Sequence, residues 1–396
     1  MRRVVTVAFF LAALLLTACA SRSVPVTVTA PAETVVVTAT PSASPSPSPP
    51  PTGSTSLHVC VVGEPDTLYL YGGSQLPATR HVMEALYDGP IDYRDYTYQP
   101  VILEKLPRLA DGDAVTDTTY VREGDRVVDA VGDLVTLEEG VDVRPSGCYT
   151  TGCEVTFESG LLRMDRMEVT FALQQDLTWS DGEPLTAADS VFGFEVASDP
   201  ATPGYRHLAG RTAAYRAVDE WTTEWVGVPG FMDPSYFLNF FPPLPRHQLE
   251  ERTPGELTGV DLTRRTPLGW GPFVVEEWVR GDHIALSRNP HYFRADESLP
   301  RVDRVVFEFT DGAPEMVAAV LAGDCDGAVR DPDTMSLMPF LVRAEQRGLL
   351  NVASAPGDGW EHLNFNLDPA PGYESPAFFA GCVGRQAVAM CIDRQA

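Results

Sequence analysis

The chain changes composition at Leu57, and this change limits how much of it can fold. Residues 21–56 are dense in Ser, Thr and Pro, with Arg22 and Glu33 as their only charged side chains. Such a segment cannot bury enough apolar surface to offset its ordering entropy, so we expect an extended tether. About 340 residues follow, which exceeds the roughly 250–300 residues at which one core stops growing. The sequence therefore predicts a folded part with two lobes.

The N-terminus has the pattern of a secretory signal. Arg2 and Arg3 precede an apolar run, residues 4–16, which is shorter than the roughly 20 residues a membrane span needs. The run ends in LTAC, which resembles the lipobox of bacterial lipoproteins, and this resemblance implies a lipidated Cys19 as the mature N-terminus. The alternative is a plain signal peptide cut nearby, with Cys19 incidental. We expect the lipid anchor, and hence an extracytoplasmic protein (in the periplasm or on the outer face of the cell membrane) that contacts the membrane only through it.

Charge excludes one class of partner. The formal net charge is −26, and no basic stripe interrupts the acidic sequence. Phosphate backbones would repel such a surface, so we expect no nucleic-acid partner. Past the signal, no apolar run is long enough to span a membrane.

The cysteines indicate disulfides, because thiols outside the cytoplasm tend to pair. Cys148 and Cys153 flank a short Gly-containing turn that can fold one cysteine onto the other, which predicts a bridge. A metal site at this pair would lack two nearby ligands. The other four cysteines allow three pairings, among which the sequence does not choose: Cys60, Cys325, Cys382 and Cys391.

Local patterns indicate alternating strands and helices. Thr186 and Asp189 form a capping-box pattern that predicts a helix ending near residue 199. A second helix is expected over residues 314–321 and a β-hairpin excursion within the acidic residues 111–143. The fold class is α/β with mixed sheets. Alternation of apolar and polar residues predicts three strands, in MEVTFALQQ (167–175), HIALS (283–287) and RVVFEFT (304–310).

Signatures of catalysis are missing from the sequence. The seven histidines are scattered, without HExxH spacing, and no GxSxG, P-loop or GxGxxG motif occurs. This absence favours a binding protein over an enzyme. We expect no catalytic residue, no metal and no cofactor.

Two longer segments resemble a known family. LTWSDGEPLTAADSVFGFEVASDP (177–200) and TPLGWGPFVVEEWVRGDHIALSRNPHYF (266–293) are similar to signatures of the family 5 extracellular solute-binding proteins, the dipeptide, oligopeptide and nickel receptors of ABC importers. Weaker matches follow the same order along the chain: GEPDTLYL (63–70), AVLAGDCDGAV (319–329), WEHLNFNL (360–367) and RQAVAMCIDRQA (385–396).

The resemblance implies a periplasmic-binding-protein-like clamp of two lobes, with an extra inserted subdomain. It implies a monomer that binds a peptide or another small solute, such as a nickel complex, oligosaccharide or opine, and docks on an ABC permease. Because the last twelve residues resemble an early helix of the second lobe, we expect a C-terminally truncated fragment with that lobe largely absent. The expected boundaries are 1–18 for the signal peptide, 19–56 for the lipidated tether, 57–365 for the N-terminal lobe (insert roughly 80–260) and 366–396 for the start of the second lobe.

The resemblance also supplies candidate ligand-binding residues. Turn chemistry is the alternative for Glu64 and Asp66, and hinge packing is the alternative for Trp360. Trp179, Trp270 and Trp278 are expected in the core rather than as a sugar-stacking set. The candidates are Glu64, Pro65, Asp66, Thr67, Tyr69 and Tyr71 after the first strand, and Trp360, Glu361, His362 and Asn364 at the crossover to the second lobe.

The main functional hypothesis is therefore a substrate-binding lipoprotein of an ABC importer. A surface-anchored hydrolase or an adhesion protein of α/β build is the alternative from another class. A sensor built on the same fold is a third hypothesis, which the sequence does not separate from the first.

Overall fold

The computed structural model describes residues 55–329, 332–353, 365, 367 and 381–391. A compact unit lies within Pro49–Ser354, and a second unit contains the C-terminal helix. Among the described residues, no helix has both the length and the apolarity needed to cross a membrane. Several predictions fall outside these residues: the signal peptide, the tether as far as residue 54, Cys19, Trp360, Glu361, His362 and Asn364. Ser56, predicted as the last residue of the tether, begins the first strand.

Strands and short helices alternate along the described chain. In chain order the strands are β1 (Ser56–Val62), β2 (Ile91–Arg94), β3 (Thr97–Pro100), β4 (Ala114–Val121), β5 (Arg126–Val128), β6 (Leu134–Thr136), β7 (Asp142–Val143), β8 (Val155–Thr156), β9 (Leu162–Ala172), β10 (Thr212–Ala217), β11 (Thr222–Gly227), β12 (Phe273–Val279), β13 (His283–Arg288), β14 (Arg304–Thr310) and β15 (Gly327–Ala328). The helices are α1 (Pro77–Leu86), α2 (Ala187–Ser198), α3 (Arg206–Arg211), α4 (Arg246–Leu249), α5 (Pro254–Leu257), α6 (Asp261–Arg264), α7 (Ala313–Ala322), α8 (Met338–Gln346) and α9 (Cys382–Met390). Shorter 3-10 turns occupy Leu109–Asp111, Tyr236–Leu238, Ala295–Glu297 and Pro332–Leu337.

The first sheet has the strand order β12-β13-β14-β1-β15. Strand β1 runs parallel to β14 and to β15, whereas β12, β13 and β14 pair antiparallel. Strand β1 lies between two strands that come more than 240 residues later in the chain. The five-stranded sheet can therefore form only after most of the chain between them has been synthesised. The mixed α/β class predicted from the sequence is confirmed.

The second sheet is antiparallel, with the order β10-β11-β9-β4. Its long strand β9 contains the predicted alternation, with Val169 and Phe171 buried and Thr170 exposed. The acidic excursion is more elaborate than one hairpin. Strand β4 pairs with β9, β5 and β6 form a hairpin of their own, and β7 pairs with β8. A small separate core, which includes Val127, lies under these hairpins.

The predicted helix boundaries are confirmed. The Asp189 carboxylate accepts hydrogen bonds from the Thr186 backbone N–H at 2.8 Å and from its hydroxyl at 3.3 Å, and the box caps α2. Helix α7 ends at Gly323, whose φ of +81° is a left-handed conformation that glycine adopts without steric cost. At the C-terminus, the helical pattern predicted from Arg385 onward is confirmed as far as Met390, and residues 392–396 lie outside the described part.

Two disulfides cross-link the body. The predicted bridge between Cys148 and Cys153 is present. Of the pairings left open by the sequence, the structure selects Cys60 with Cys325, which ties β1 to the turn before β15. Trp179 and Trp270 are buried in the main core as expected, and Trp278 packs against it with part of its ring exposed.

Candidate functional site

The candidate site is the segment that follows β1, here called the β1 loop (residues 63–71). Strand β1 is interior to its sheet, and ligands of open α/β sheets bind outside the carboxyl ends of the strands. Gly63 starts the loop with a φ of +78°, and its N–H donates to the carbonyl of Thr310 at the end of β14 at 2.9 Å. The loop therefore lies at the carboxyl edge of two parallel strands.

Glu64 connects the β1 loop to the β12–β13 hairpin. Its Oε1 accepts the indole N–H of Trp278 at 2.7 Å, and its Oε2 accepts the N–H of Gly281 at 3.0 Å. Gly281 occupies the hairpin turn with a φ of +71°, and the guanidinium of Arg265 lies 5.0 Å from the centroid of the Trp278 ring. Both oxygens of Glu64 thus have protein donors, which is a positioning arrangement.

Asp66 has a different environment, because it is exposed. Its Oδ1 accepts the hydroxyls of Ser74 at 2.5 Å and Thr79 at 3.0 Å, and its backbone carbonyl accepts Arg264 at 3.0 Å. No hydrogen bond to Oδ2 occurs within the described part of the chain. This oxygen can therefore accept a donor from solution.

The rest of the predicted group is buried: Pro65, Thr67, Tyr69 and Tyr71. The hydroxyl of Thr67 accepts the Tyr69 N–H at 3.1 Å. The Tyr71 hydroxyl donates to the Pro242 carbonyl at 2.7 Å, and Tyr71 is 0% exposed. Burial raises the pKa of both tyrosines well above its ordinary value, so both hydroxyls keep their protons at neutral pH. These residues shape the loop from inside.

Glycine permits the close approach around Tyr71. A β-carbon added at Gly193 of α2 would lie 2.4 Å from the Pro242 carbonyl oxygen and 2.8 Å from the Tyr71 hydroxyl. Only a residue without a β-carbon fits there without a backbone shift. The main core thus continues from the β1 loop into α2.

The sequence did not indicate the partners that hold the loop, namely Ser74, Thr79, Arg264 and Gly281. The first two follow the loop closely, but the last two lie roughly 200 residues away in the chain, where no local pattern reveals a contact. The second predicted group, from Trp360 to Asn364, lies outside the described residues. A ligand role for either group stays a prediction.

Two cavities elsewhere in the described body are not lined by the β1 loop. One, of about 510 Å³, lies at the second sheet, and the other, of about 370 Å³, lies next to the β2–β3 hairpin. Among the described residues, no group of three or more His, Cys, Asp or Glu side chains is arranged to hold a metal ion.

Comparison with known proteins decides the family. Residues 158–396 match the model of the bacterial extracellular solute-binding proteins, family 5 Middle. The chain belongs to this family. The match starts just before β9 and includes both signature segments identified in the sequence, so the resemblance stated there is confirmed.

Curated relatives of this family 5 chain come from several bacteria. A protein of Brucella ovis, named as a candidate ABC transporter peptide-binding protein, is 27% identical over 178 residues, which are 43% of this chain and 32% of that protein. A candidate ABC transporter-binding protein of Deinococcus radiodurans is 24% identical over 254 residues, 59% of this chain and 42% of its own. The matches therefore span less than half of each relative's length.

Solved structures are also similar to the family 5 chain. The oligopeptide-binding protein AppA of Bacillus subtilis, in complex with a nonapeptide, matches with a TM-score of 0.49 and 20% identity over 68% of this chain and 43% of AppA. A nickel-histidine-bound NikZ of Campylobacter jejuni matches with a TM-score of 0.46 and 14% identity, covering 72% of this chain and 45% of NikZ.

Proposed function

We propose that this family 5 chain is part of the receptor of an ABC importer, which captures peptides or similar small solutes and delivers them to a permease. The family match over residues 158–396 carries the proposal. The peptide-binding name of the Brucella ovis relative favours peptides as the solute class. In this role the protein performs no covalent chemistry. The solute favours the closed form of a two-lobed clamp by its differential affinity for the closed and open states.

Within the β1 loop, Asp66 is the residue we propose to contact solute. It is exposed, and Oδ2 has no protein donor among the described residues, so it can accept the ammonium group of a peptide N-terminus. Glu64 is already engaged by Trp278 and Gly281, which assigns it to positioning. We also propose the predicted crossover group, Trp360, Glu361, His362 and Asn364, as ligand-binding residues.

We also propose that the receptor is a lipoprotein outside the cytoplasm. The LTAC segment supports lipidation at Cys19, and the Ser/Thr/Pro-rich residues that follow suit a tether. Membership of a family of bacterial extracellular solute-binding proteins supports this location. The protein would act as a monomer, with the permease as its protein partner.

The experiment is a binding measurement on the whole protein as its host makes it. A pool of tri- to pentapeptides is expected to raise the melting temperature, and an N-acetylated pool should raise it less, because the acetyl group removes the ammonium charge. Asp66→Asn should weaken binding of the free-amine pool about tenfold or more, in line with the roughly 1.5–3 kcal/mol of a charged hydrogen bond. Asp324→Asn, the same change at an exposed carboxylate near β15, should leave binding within twofold.

The result also discriminates between the functional classes. If no peptide shifts the melting temperature and the purified protein instead releases a product from a substrate, the hydrolase alternative replaces the receptor. If peptides bind but Asp66→Asn and Asp324→Asn behave alike, the receptor proposal stands and the assignment of Asp66 is wrong.

A further inference from the structure

The cavity at the second sheet is not lined by any residue of the β1 loop, where we propose that the solute binds. It is bounded by the β5–β6 hairpin, the loop before Cys148, strand β9, helix α3 and the segment after β11. Its volume of about 510 Å³ falls within the roughly 300–1,000 Å³ of small-molecule sites. Tyr149 and Val131 line it while being 64% and 83% exposed, so it opens to solvent beside them.

Arg211 lines this cavity and forms no ion pair with any residue that the structure describes. Its guanidinium donates to the Gly132 carbonyl at 3.2 Å and to Nδ1 of His207 at 3.1 Å. No carboxylate of the described chain lies within ion-pair distance of it, although the protein carries a net charge of −26. Because a guanidinium only donates, Nδ1 of His207 must accept, and the neutral ring then carries its hydrogen on Nε2 as a further donor.

The carboxylates that line the same cavity are occupied by internal donors. Asp165 accepts the Tyr149 hydroxyl at 2.6 Å, the Gly147 N–H at 2.9 Å and the Thr118 hydroxyl at 3.2 Å. Oδ1 of Asp129 accepts two backbone N–H groups, at 3.0 Å and 2.8 Å. These donors stabilise both carboxylates in place, and neither forms an ion pair with Arg211 among the described residues, so Arg211 keeps guanidinium hydrogens that a ligand can use.

Arg144 adds a second unsatisfied donor. Its only ion pair in the described part is a long one, 3.5 Å to Glu154, and its Nε is buried without a hydrogen-bond partner. A buried donor of this kind costs roughly 1–3 kcal/mol unless it finds an acceptor. Because this nitrogen is enclosed by protein atoms, an anion in the cavity could bind it only after the Arg144 side chain moves.

The walls beside these donors are apolar and fixed in shape. The Phe231 ring lies under the Arg211 guanidinium, 5.7 Å from centroid to carbon, and Met232 continues the wall. Gly230 precedes them with a φ of +87°, and an added β-carbon would lie 2.5 Å from the carbonyl oxygen of Val128. Glycine is thus required to bring this wall against the β5–β6 hairpin.

We propose that this cavity is a second ligand site, which binds a small organic carboxylate with an apolar or aromatic body. The carboxylate pairs with Arg211 in the bidentate geometry that guanidinium favours, and His207 donates from Nε2. The apolar body rests against Phe231 and Met232. This site is separate from the β1 loop and independent of the solute that the importer would carry.

Three probes of similar size and different charge test the proposal by calorimetry on the whole protein. They are phenylacetate, its neutral amide phenylacetamide, and the cation phenethylamine. We expect phenylacetate to bind at least tenfold more tightly than the amide, and the amine to show no binding. Arg211→Gln should remove this preference, whereas Arg211→Lys should retain part of it because the charge is kept.

Arg163→Gln is the matched control, since Arg163 is exposed on β9 and does not line the cavity. It should bind phenylacetate within twofold of the parent, as should Asp66→Asn. Equal binding of phenylacetate and phenylacetamide, or equal losses in Arg211→Gln and Arg163→Gln, overturns the proposal. If Arg211→Gln lowers the melting temperature, the difference in affinity between phenylacetate and phenylacetamide, measured on the parent and on Arg211→Lys, still tests the proposal.

Discussion

Glu64 and Trp278 are joined by a 2.7 Å hydrogen bond across 214 residues of sequence, with the indole N–H donating to Oε1. The other carboxylate oxygen accepts the N–H of Gly281 in the same hairpin turn. One side chain thus connects the carboxyl end of the interior strand β1 to the β12–β13 hairpin at the edge of its sheet. Glu64 is the second residue of the β1 loop, the segment in which we propose that Asp66 contacts the solute.

Glu64→Ala should therefore destabilise the fold. It leaves the Trp278 and Gly281 donors without an acceptor, which we expect to lower the free energy of unfolding by about 1–3 kcal/mol. Trp278→Phe should cost less, and the double variant should cost less than the sum because both changes remove the same bond. Urea denaturation measures all three, with Glu123→Ala at an exposed position as the control. Additive effects would contradict the coupling.

Gly193 offers a second test of packing. Gly193→Ala puts a β-carbon 2.4 Å from the Pro242 carbonyl and should lower the free energy of unfolding by roughly 1–3 kcal/mol, as overpacking does. Gly210→Ala is the matched control in helix α3, where the nearest atom would lie at an ordinary 3.7 Å. There alanine should be neutral or stabilising by up to about 1 kcal/mol. Similar changes in thermal stability for the two variants would show that the contact at Gly193 relaxes easily.

Local signals predicted the elements well, because the physics behind them is local. The alternation in β9, the capping box of Thr186 and Asp189, and the glycine stop after α7 each depend on neighbours in sequence. The short Cys148–Cys153 bridge belongs to the same class. The family resemblance added the prediction that residues of the β1 loop contact the ligand.

The contacts that decide the sites were not predictable in this way. The pairing of Cys60 with Cys325, the bond between Glu64 and Trp278 and the unmatched charge of Arg211 all depend on which strands become neighbours. The sequence shows the residue types but not the crossovers that bring them together. For Glu64 the sequence therefore allowed both a turn role and a ligand role, and the two protein donors on its carboxylate favour a positioning role.

The two disulfides should differ in their effect on stability. Cys60–Cys325 closes a loop of 265 residues, whereas Cys148–Cys153 spans 5. On the chain-entropy model, their removal costs up to about 5 and about 2 kcal/mol respectively. We expect the melting temperature to fall further in Cys60→Ala/Cys325→Ala than in Cys148→Ala/Cys153→Ala, measured under oxidising conditions. Equal falls would mean that the unfolded chain is already compact near residues 60 and 325.

Lipidation of Cys19 has a direct test in cells. Labelling with an alkyne-bearing fatty acid should mark the parent protein and place it in the membrane fraction. Cys19→Ser should lose both the label and the membrane association, whereas Cys382→Ser, at an exposed thiol, should keep both. A Cys19→Ser variant that stays labelled in the membrane fraction would contradict the anchor.

Asp165 predicts a dependence of stability on pH. Burial acts to raise the pKa of this carboxyl, but hydrogen bonds from Ser146, Tyr149, Gly147 and Thr118 outweigh it and lower the pKa below its ordinary value. The folded state therefore holds the proton less tightly than the unfolded state, so the stabilisation is present above the unfolded pKa of about 4. It is lost as the pH falls through the folded value. Asp165→Asn should be less stable than the parent at pH 7 and should lose less on acidification, as urea titrations between pH 7 and pH 3 would show. Parallel pH profiles for the two proteins would mean that other carboxylates govern the acid response.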